Sequence, residues 1–152
     1  MIRWDWDTVW MAVANAMGKR SRCVRSQVGC VVVSHHNRVC STGYNGPPAG
    51  LDVVGDCSEW CPRAKTGGAA AFYDDCRSSH AEMNALIMGD RSMYEGGTIY
   101  VTRVPCFTCA KVISNSGVHR VVCLIAPEDV DREPNRSLQE MRDAGLEVVE
   151  LF

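Results

Sequence analysis

His80-Ala81-Glu82 and Pro105-Cys106-Phe107-Thr108-Cys109 are the two stretches whose joint reading decides this chain. An imidazole and two thiols are donors that suit zinc, and a catalytic zinc keeps three protein ligands with the fourth position left to water. Zinc lowers the pKa of that water towards neutrality. Glu82, two residues past the histidine, has the reach of a general acid/base that takes the water proton and hands it to a substrate. Cys106 and Cys109, one helical turn apart, can grip a single ion, and Pro105 is tolerated just ahead of a helix start. The alternative is a closed structural site in which Glu82 is an ordinary helix-face residue. Such sites usually bring two cysteine pairs, whereas here one pair matches one His-x-Glu.

Outward from these stretches the chain alternates between helix and strand patterns. From His80 it turns helical, with Met83, Leu86 and Ile87 on one face, until Gly96-Gly97 breaks it. Thr98 to Val101 reads as a strand, Cys106 to about Ser116 as a helix closed by Gly117, and Arg120 to Ala126 as a strand. Ser137 to Ala144 is a last helix ended by Gly145, and Leu146 to Leu151 a last strand. Upstream, Asp5 caps a helix to about Met17, with Val9, Trp10, Val13 and Met17 at helical spacing. Val28 to Val33 is a continuous apolar run, hence a buried strand. His35-His36-Asn37 turns a hairpin, and Arg38 to Tyr44 returns. The order α-β-β-α-β-α-β-α-β predicts an α/β fold whose five-stranded sheet is mixed, with an antiparallel hairpin and later parallel pairs covered on both faces. Both halves of the ligand set then fall at helix N-termini, where backbone dipoles favour anionic thiolates. Residues 46–78 carry turn formers, glycines and cysteines without periodicity, which points to a functional or metal-tied loop.

The 152 residues suit a single domain spanning 1–152. Hydrophobic residues at 46% and charged residues at 22% are an ordinary globular balance. No apolar run approaches the length of a membrane span, and Met1 to Asp5 lacks the core of a secretory signal. A cytoplasmic protein without membrane contact is therefore expected. A net charge of −2 leaves no strong footprint for a nucleic-acid polymer, though a small anion needs only a few local donors. Nine cysteines, an odd count, are expected as thiols or metal ligands in a reducing compartment. Cys30, Cys40 and Cys123 lie in strand patterns and read as buried core thiols. His35, His36 and His119 read as turn and surface residues, and Trp4, Trp6 and Trp10 as packing or a subunit contact.

The H-x-E…P-C-x-x-C spacing marks zinc-dependent nucleobase deaminases. Ser21-Arg22-Cys23-Val24-Arg25-Ser26-Gln27-Val28-Gly29, Thr42-Gly43-Tyr44-Asn45-Gly46-Pro47-Pro48-Ala49-Gly50 and His80-Ala81-Glu82-Met83-Asn84-Ala85-Leu86 extend the likeness. So do Tyr100-Val101-Thr102, Pro105 to Lys111, and Ser116 to Val122. Together they resemble the deoxycytidylate (dCMP) deaminase family, a likeness that covers nearly the whole chain. The zinc motifs specify the superfamily, and the Gly-Tyr-Asn-Gly-Pro-Pro-Ala-Gly segment narrows it. A tight turn accounts for Asn45-Gly46 alone.

The resemblance implies a three-layer α/β/α cytidine-deaminase-like fold, hexameric assembly, and hydrolysis of dCMP to dUMP for thymidylate supply, with zinc-bound hydroxide attacking C4. It also implies activation by dCTP and inhibition by dTTP, with Tyr44 and Asn45 in the effector region. Asn45 would hydrogen-bond the deoxyribose, the Ala81 N–H the pyrimidine, and Arg25 the phosphate, since a guanidinium grips phosphate bidentately. Arg91 matches an arginine of some members but reads as a surface helix residue. A tyrosine-then-arginine pair common after the fourth strand is missing from Cys123-Leu124-Ile125-Ala126-Pro127-Glu128, which keeps a C5-substituted dCMP open as substrate. Several members carry a second zinc in the irregular region, and here Cys57, Cys61 and Cys76, with Cys23 as fourth ligand, would hold a second, structural Zn2+. Other readings are a deaminase of cytidine, a free base or an RNA base, and a non-catalytic zinc module that binds nucleotides. A pure binder, however, has no use for Glu82 as a proton shuttle.

Overall fold

The computed structural model describes residues 2–66, 75–126 and 134–152. Helix α1 (Trp6–Gly18) starts where Asp5 accepts the Thr8 N–H at 2.8 Å. Strands β1 (Gly29–Val33) and β2 (Val39–Tyr44) form an antiparallel hairpin. Its turn passes through Asn37 at φ 56°, a left-handed position that asparagine tolerates. Helices α2 (Cys57–Trp60) and α3 (Pro62–Lys65) follow, then α4 (Ala81–Met88), α5 (Arg91–Tyr94) and β3 (Thr98–Val101). Helix α6 (Phe107–Ser114), β4 (Arg120–Leu124), α7 (Pro134–Asp143) and β5 (Glu147–Leu151) complete the described chain.

The sheet runs β2-β1-β3-β4-β5, with β1 antiparallel to β2 and β3, and β3-β4 and β4-β5 parallel. The mixed five-stranded α/β architecture expected from the pattern is present. Side chains alternate across the strands, so each face has its own core. Val31, Val33, Tyr100 and Val122 pack on Met11 and Ala14 of α1. Cys30, Val32, Ile99, Val101, Val121 and Cys123 pack on Ala81, Ala85, Leu86, Ala110, Ile113, Leu138 and Met141 of α4, α6 and α7. The sheet is thus sandwiched between α1 and the helices of the second face. Arg120 ties the first layer down: its guanidinium donates to both carboxylate oxygens of Asp7 at 2.7 and 2.8 Å and, through Nε, to Glu147 at 3.0 Å. Tyr100 donates to the same Asp7 at 2.9 Å. No helix among the described residues is long and apolar enough to cross a membrane.

Several expectations are corrected. The pattern from His80 is two helices, because Gly89 leaves the helical conformation and Asp90 caps a new start by accepting the Ser92 N–H at 2.9 Å. Of Met83, Leu86 and Ile87, only Leu86 is buried, beside Ala81, Glu82 and Ala85; Met83 is half-buried and Ile87 is 74% exposed. The reason is close packing: α4 lies so near β2 that the backbone of Ala81 and Ala85 sits against Gly43, which turns Ile87 away from the sheet. Cys40 is half-buried rather than core, since β2 is an edge strand. The fourth strand ends at Leu124 instead of Ala126, and the helix after Pro105 is Phe107–Ser114. Residues 46–78 contain two short helices that the pattern missed, one capped by Asp56 and one opened by Pro62. Part of that stretch, and Pro127-Glu128, lie outside the described residues.

Candidate metal centre and active site

The His80 end of α4 is held by its neighbours before any ligand is considered. Gly46 and Ser79 exchange backbone hydrogen bonds at 3.1 and 2.8 Å, so the chain leaving β2 fixes the chain entering α4. Asn84 adds a bond from its amide nitrogen to the Tyr44 carbonyl at 2.8 Å. Gly43 lets the elements close up, since a Cβ there would stand 2.2 Å from the Ala81 carbonyl oxygen. His80 is the N-cap of α4 and Cys106 the N-cap of α6, as the pattern required.

These two helix starts bring His80, Cys106 and Cys109 together. Their ligand atoms all lie within 4.8 Å of one another, the one such group among the described residues. His80 Nδ1 is 3.3 Å from Cys109 Sγ and 3.5 Å from Cys106 Sγ. Cys106 is pulled down to about 4 by a hydrogen bond from Cys109, helped by His80, against its burial. Cys109 is pushed far up by the same bond, by burial and by the Glu82 charge. A thiolate thus sits against a thiol and an imidazole, a soft donor set that fits zinc and would surrender its remaining proton to the metal. Cys109 is fully buried at the back, while His80 and Cys106 face a cavity of about 260 Å³. Glu82 is 5% exposed and lines the same cavity. Three ligands, one open side and a buried carboxylate at that side match a catalytic metal rather than a closed one.

The cavity also collects Ala81, Asn45 and Arg25, the residues expected to meet a substrate. Asn45 is 8% exposed and partly committed to the fold. It accepts the Val28 N–H at 2.8 Å and donates to the Ser26 carbonyl at 2.9 Å. Tyr44, paired with Asn45 as an expected effector residue, points elsewhere. It lines a separate groove of about 290 Å³ with Arg20, Arg22, Pro47, Pro48 and Asn84. Arg91 is a surface residue paired with Glu95 at 3.3 Å. His35, His36 and His119 are exposed.

Cys23, Cys57, Cys61 and Cys76 line the same cavity as the His80 centre. Cys61 and Cys76 approach to 3.9 Å, and the Val24 N–H donates to Cys57 Sγ at 3.3 Å. Burial raises Cys57 to about 11, with the neighbouring Cys23 and Cys61 adding to the rise. Burial also acts on Cys61, but the Arg77, Ala64 and Arg63 N–H groups outweigh it and lower that thiol. Sequence reasoning missed Ser26, Arg63, Ser78 and Arg103, which also line the cavity. Arg103, three residues before Cys106, lies in the turn that leads from β3 into α6, and no local pattern marks it.

With this geometry in hand, comparison with known proteins is specific. The model of the cytidine and deoxycytidylate deaminase zinc-binding region matches residues 4–125. The deoxycytidylate deaminase of Mycobacterium phage D29 is 45% identical over 128 residues, 80% of this chain and 96% of that protein. That of Schizosaccharomyces pombe is 39% identical over 121 residues, 78% of this chain but 36% of its own length. The chain therefore spans nearly all of the phage relative and about a third of the yeast one. The crystal structure of the dCMP deaminase of cyanophage S-TIM5 with dCMP and dUMP superposes with a TM-score of 0.71 at 23% identity, covering 99% of this chain and 100% of that one. At that identity the likeness speaks for the fold.

Proposed function

The chain belongs to the cytidine and deoxycytidylate deaminase family, and from that premise we propose that residues 1–152 act as one domain that hydrolyses dCMP to dUMP and ammonia. The observation that carries this is the buried Glu82 at the open side of the His80, Cys106 and Cys109 group. Zinc bound there supplies Lewis acidity that makes water nucleophilic at neutral pH. Every other task falls to the chain. Ala81, at the first turn of α4, offers its N–H to the pyrimidine, and Asn45 offers an amide N–H to the sugar. Glu82 takes a proton from the attacking water and delivers it to the ring nitrogen. The same carboxylate then takes the remaining proton from the new C4 hydroxyl and passes it to the amino group, so that the C4 carbonyl forms as the C4–N bond breaks and ammonia leaves.

The test is ammonia release from dCMP, CMP, deoxycytidine and a C5-substituted dCMP, with Glu82→Gln in parallel. The variant should keep its zinc and lose turnover by about 10²–10⁴-fold. Full turnover in a zinc-loaded Glu82→Gln enzyme would remove the mechanism, and no ammonia from any of the four would remove the reading.

Three further features belong to the same proposal. Cys23, Cys57, Cys61 and Cys76 hold a second, structural zinc, for which their side chains must close in further than they stand here; their shared lining of one cavity, the 3.9 Å approach of Cys61 and Cys76 and the N–H bonds to Cys57 and Cys61 support it. Elemental analysis should find two zinc atoms per chain, and one would refute this. The groove beside Tyr44, with Arg20 and Arg22, is where a dCTP or dTTP effector binds. The chain assembles as a hexamer, which the exposed apolar side chains of Ile87, Met88 and Met93 on α4 and α5 support. The site of action is the cytoplasm.

A further inference from the structure

The wall of the catalytic cavity carries three guanidinium groups, Arg25, Arg63 and Arg103, together with the Glu82 carboxylate. Glu82 belongs to the metal end, two residues from His80. The arginines come from three separate places: the connector before β1, helix α3, and the turn from β3 into α6. The charge continues outward. A shallow groove of about 460 Å³ shares Cys23, Arg25, Ser26 and Arg103 with the cavity and adds Lys19.

Arg103 is also placed by a chain of hydrogen bonds. Its Nη1 donates to Ser26 Oγ at 2.7 Å, the Ser26 carbonyl accepts from Asn45 Nδ2 at 2.9 Å, and Asn45 Oδ1 accepts the Val28 N–H at 2.8 Å. The residue suited to the sugar and the residue suited to an anion are thus linked through Ser26, at a separation the fold sets. A guanidinium held in this way loses little further freedom when it binds, and its fork matches two phosphate oxygens.

We infer that Arg103, anchored on Ser26 and flanked by Arg25 and Arg63, is the residue that selects a 5′-monophosphate over the corresponding nucleoside. The inference rests on the cytosine-nucleotide reading above and adds to it the group that distinguishes nucleotide from nucleoside. The phosphate reaches the side where cavity and groove meet, while the base stays at the metal end. The Asn45-Ser26-Arg103 chain acts as the ruler between them. Nothing in the Cys-x-x-C or His-x-Glu spacing announces Arg103. It is a site residue because the β3–α6 turn passes Ser26.

The experiment compares Arg103→Ala and Arg103→Gln with the parent enzyme, each checked for zinc content and melting temperature. Glutamine can keep the donor to Ser26 while removing the charge, so it stands in if the alanine variant misfolds. Two ratios are read: kcat/KM for dCMP over deoxycytidine, and affinity for dUMP over deoxyuridine by calorimetry. Both should fall by about 10–100-fold in either variant, the usual effect of losing a charged hydrogen-bond partner. Unchanged ratios in a folded, zinc-loaded variant overturn the assignment, as does an equal loss for nucleotide and nucleoside, which would mark a purely structural arginine. If the parent enzyme releases no ammonia from either substrate, the deamination reading fails by itself. The binding ratio then judges Arg103: loss of the dUMP preference upholds the clamp, and its retention, or no dUMP binding at all, overturns it.

Discussion

Replacing Gly43 by alanine should damage the active site from behind. A Cβ on Gly43 would stand 2.2 Å from the Ala81 carbonyl oxygen and 2.6 Å from the Ala85 nitrogen, where ordinary contact is 3.4–4 Å. Both obstructing atoms are backbone, so no side chain can rotate aside, and α4 must retreat from β2 by about 1 Å. Overpacking of this kind costs ~1–3 kcal/mol, and rigid obstacles put Gly43→Ala at about 3 kcal/mol. For a chain of this size that lowers Tm by roughly 6–12 °C. The functional effect is larger than the stability effect. His80, Ala81 and Glu82 ride on α4, whereas Cys106 and Cys109 ride on α6. The retreat therefore pulls the ligand set apart instead of moving it as a unit, and a misplacement of ~1 Å lowers catalysis by about 10²-fold. Scanning calorimetry and dCMP turnover measure the two effects. Gly50→Ala is the control, since a Cβ there meets nothing within 4 Å and should change stability by less than ~0.5 kcal/mol. Should Gly43→Ala match Gly50→Ala in both assays, the close approach of α4 to β2 does not set the site.

Cys109→Ser removes the buried ligand, so the variant should lose its catalytic zinc by elemental analysis and its turnover with it; a metal-loaded, active serine variant would exclude Cys109 as ligand. Asp7→Asn breaks the pair with Arg120, whose side chains are only 28% and 23% exposed, and weakens the acceptor of the Tyr100 hydroxyl. The loss at neutral pH should be about 1.5–3 kcal/mol. The Arg120 hydrogen bonds hold the Asp7 carboxyl below its usual range, although burial opposes them. A lowered carboxylate contributes stability that is complete above the unfolded value of ~3.9 and is lost as pH falls through the folded value. The melting difference between parent and Asp7→Asn should therefore hold from pH 7 to about 5 and close below ~3.9. A difference independent of pH would assign the effect to packing.

Much of the fold was legible because its signals are local. The five strands follow from β-branched runs and the principal helices from capping residues and periodic apolar positions, as Asp5 before α1 and the unchanged Thr98–Val101 strand show. Where the pattern misled, packing had overridden it. Ile87 reads as a core residue by spacing, yet α4 presses its alanines on Gly43 and leaves Ile87 in solvent. Cys40 alternates correctly but falls on an edge strand. Helices α2 and α3 were too short to show a period and could be seen only as caps, at Asp56 and Pro62.

The amino-acid order alone determines the identity and spacing of the metal ligands and of Glu82, because those groups sit at short fixed intervals within two local segments, His80 to Glu82 and Cys106 to Cys109. It does not determine what lies across the cavity from them. Arg25, Arg63 and Arg103 are separated by dozens of residues and share no period, and Tyr44 and Asn45 are neighbours in sequence that face different hollows. Only the folding of the β3–α6 turn onto Ser26, and of Cys57, Cys61 and Arg63 against the same cavity, brings such groups together. A contact between residues far apart in sequence depends on the closure of the intervening chain, which local composition does not encode.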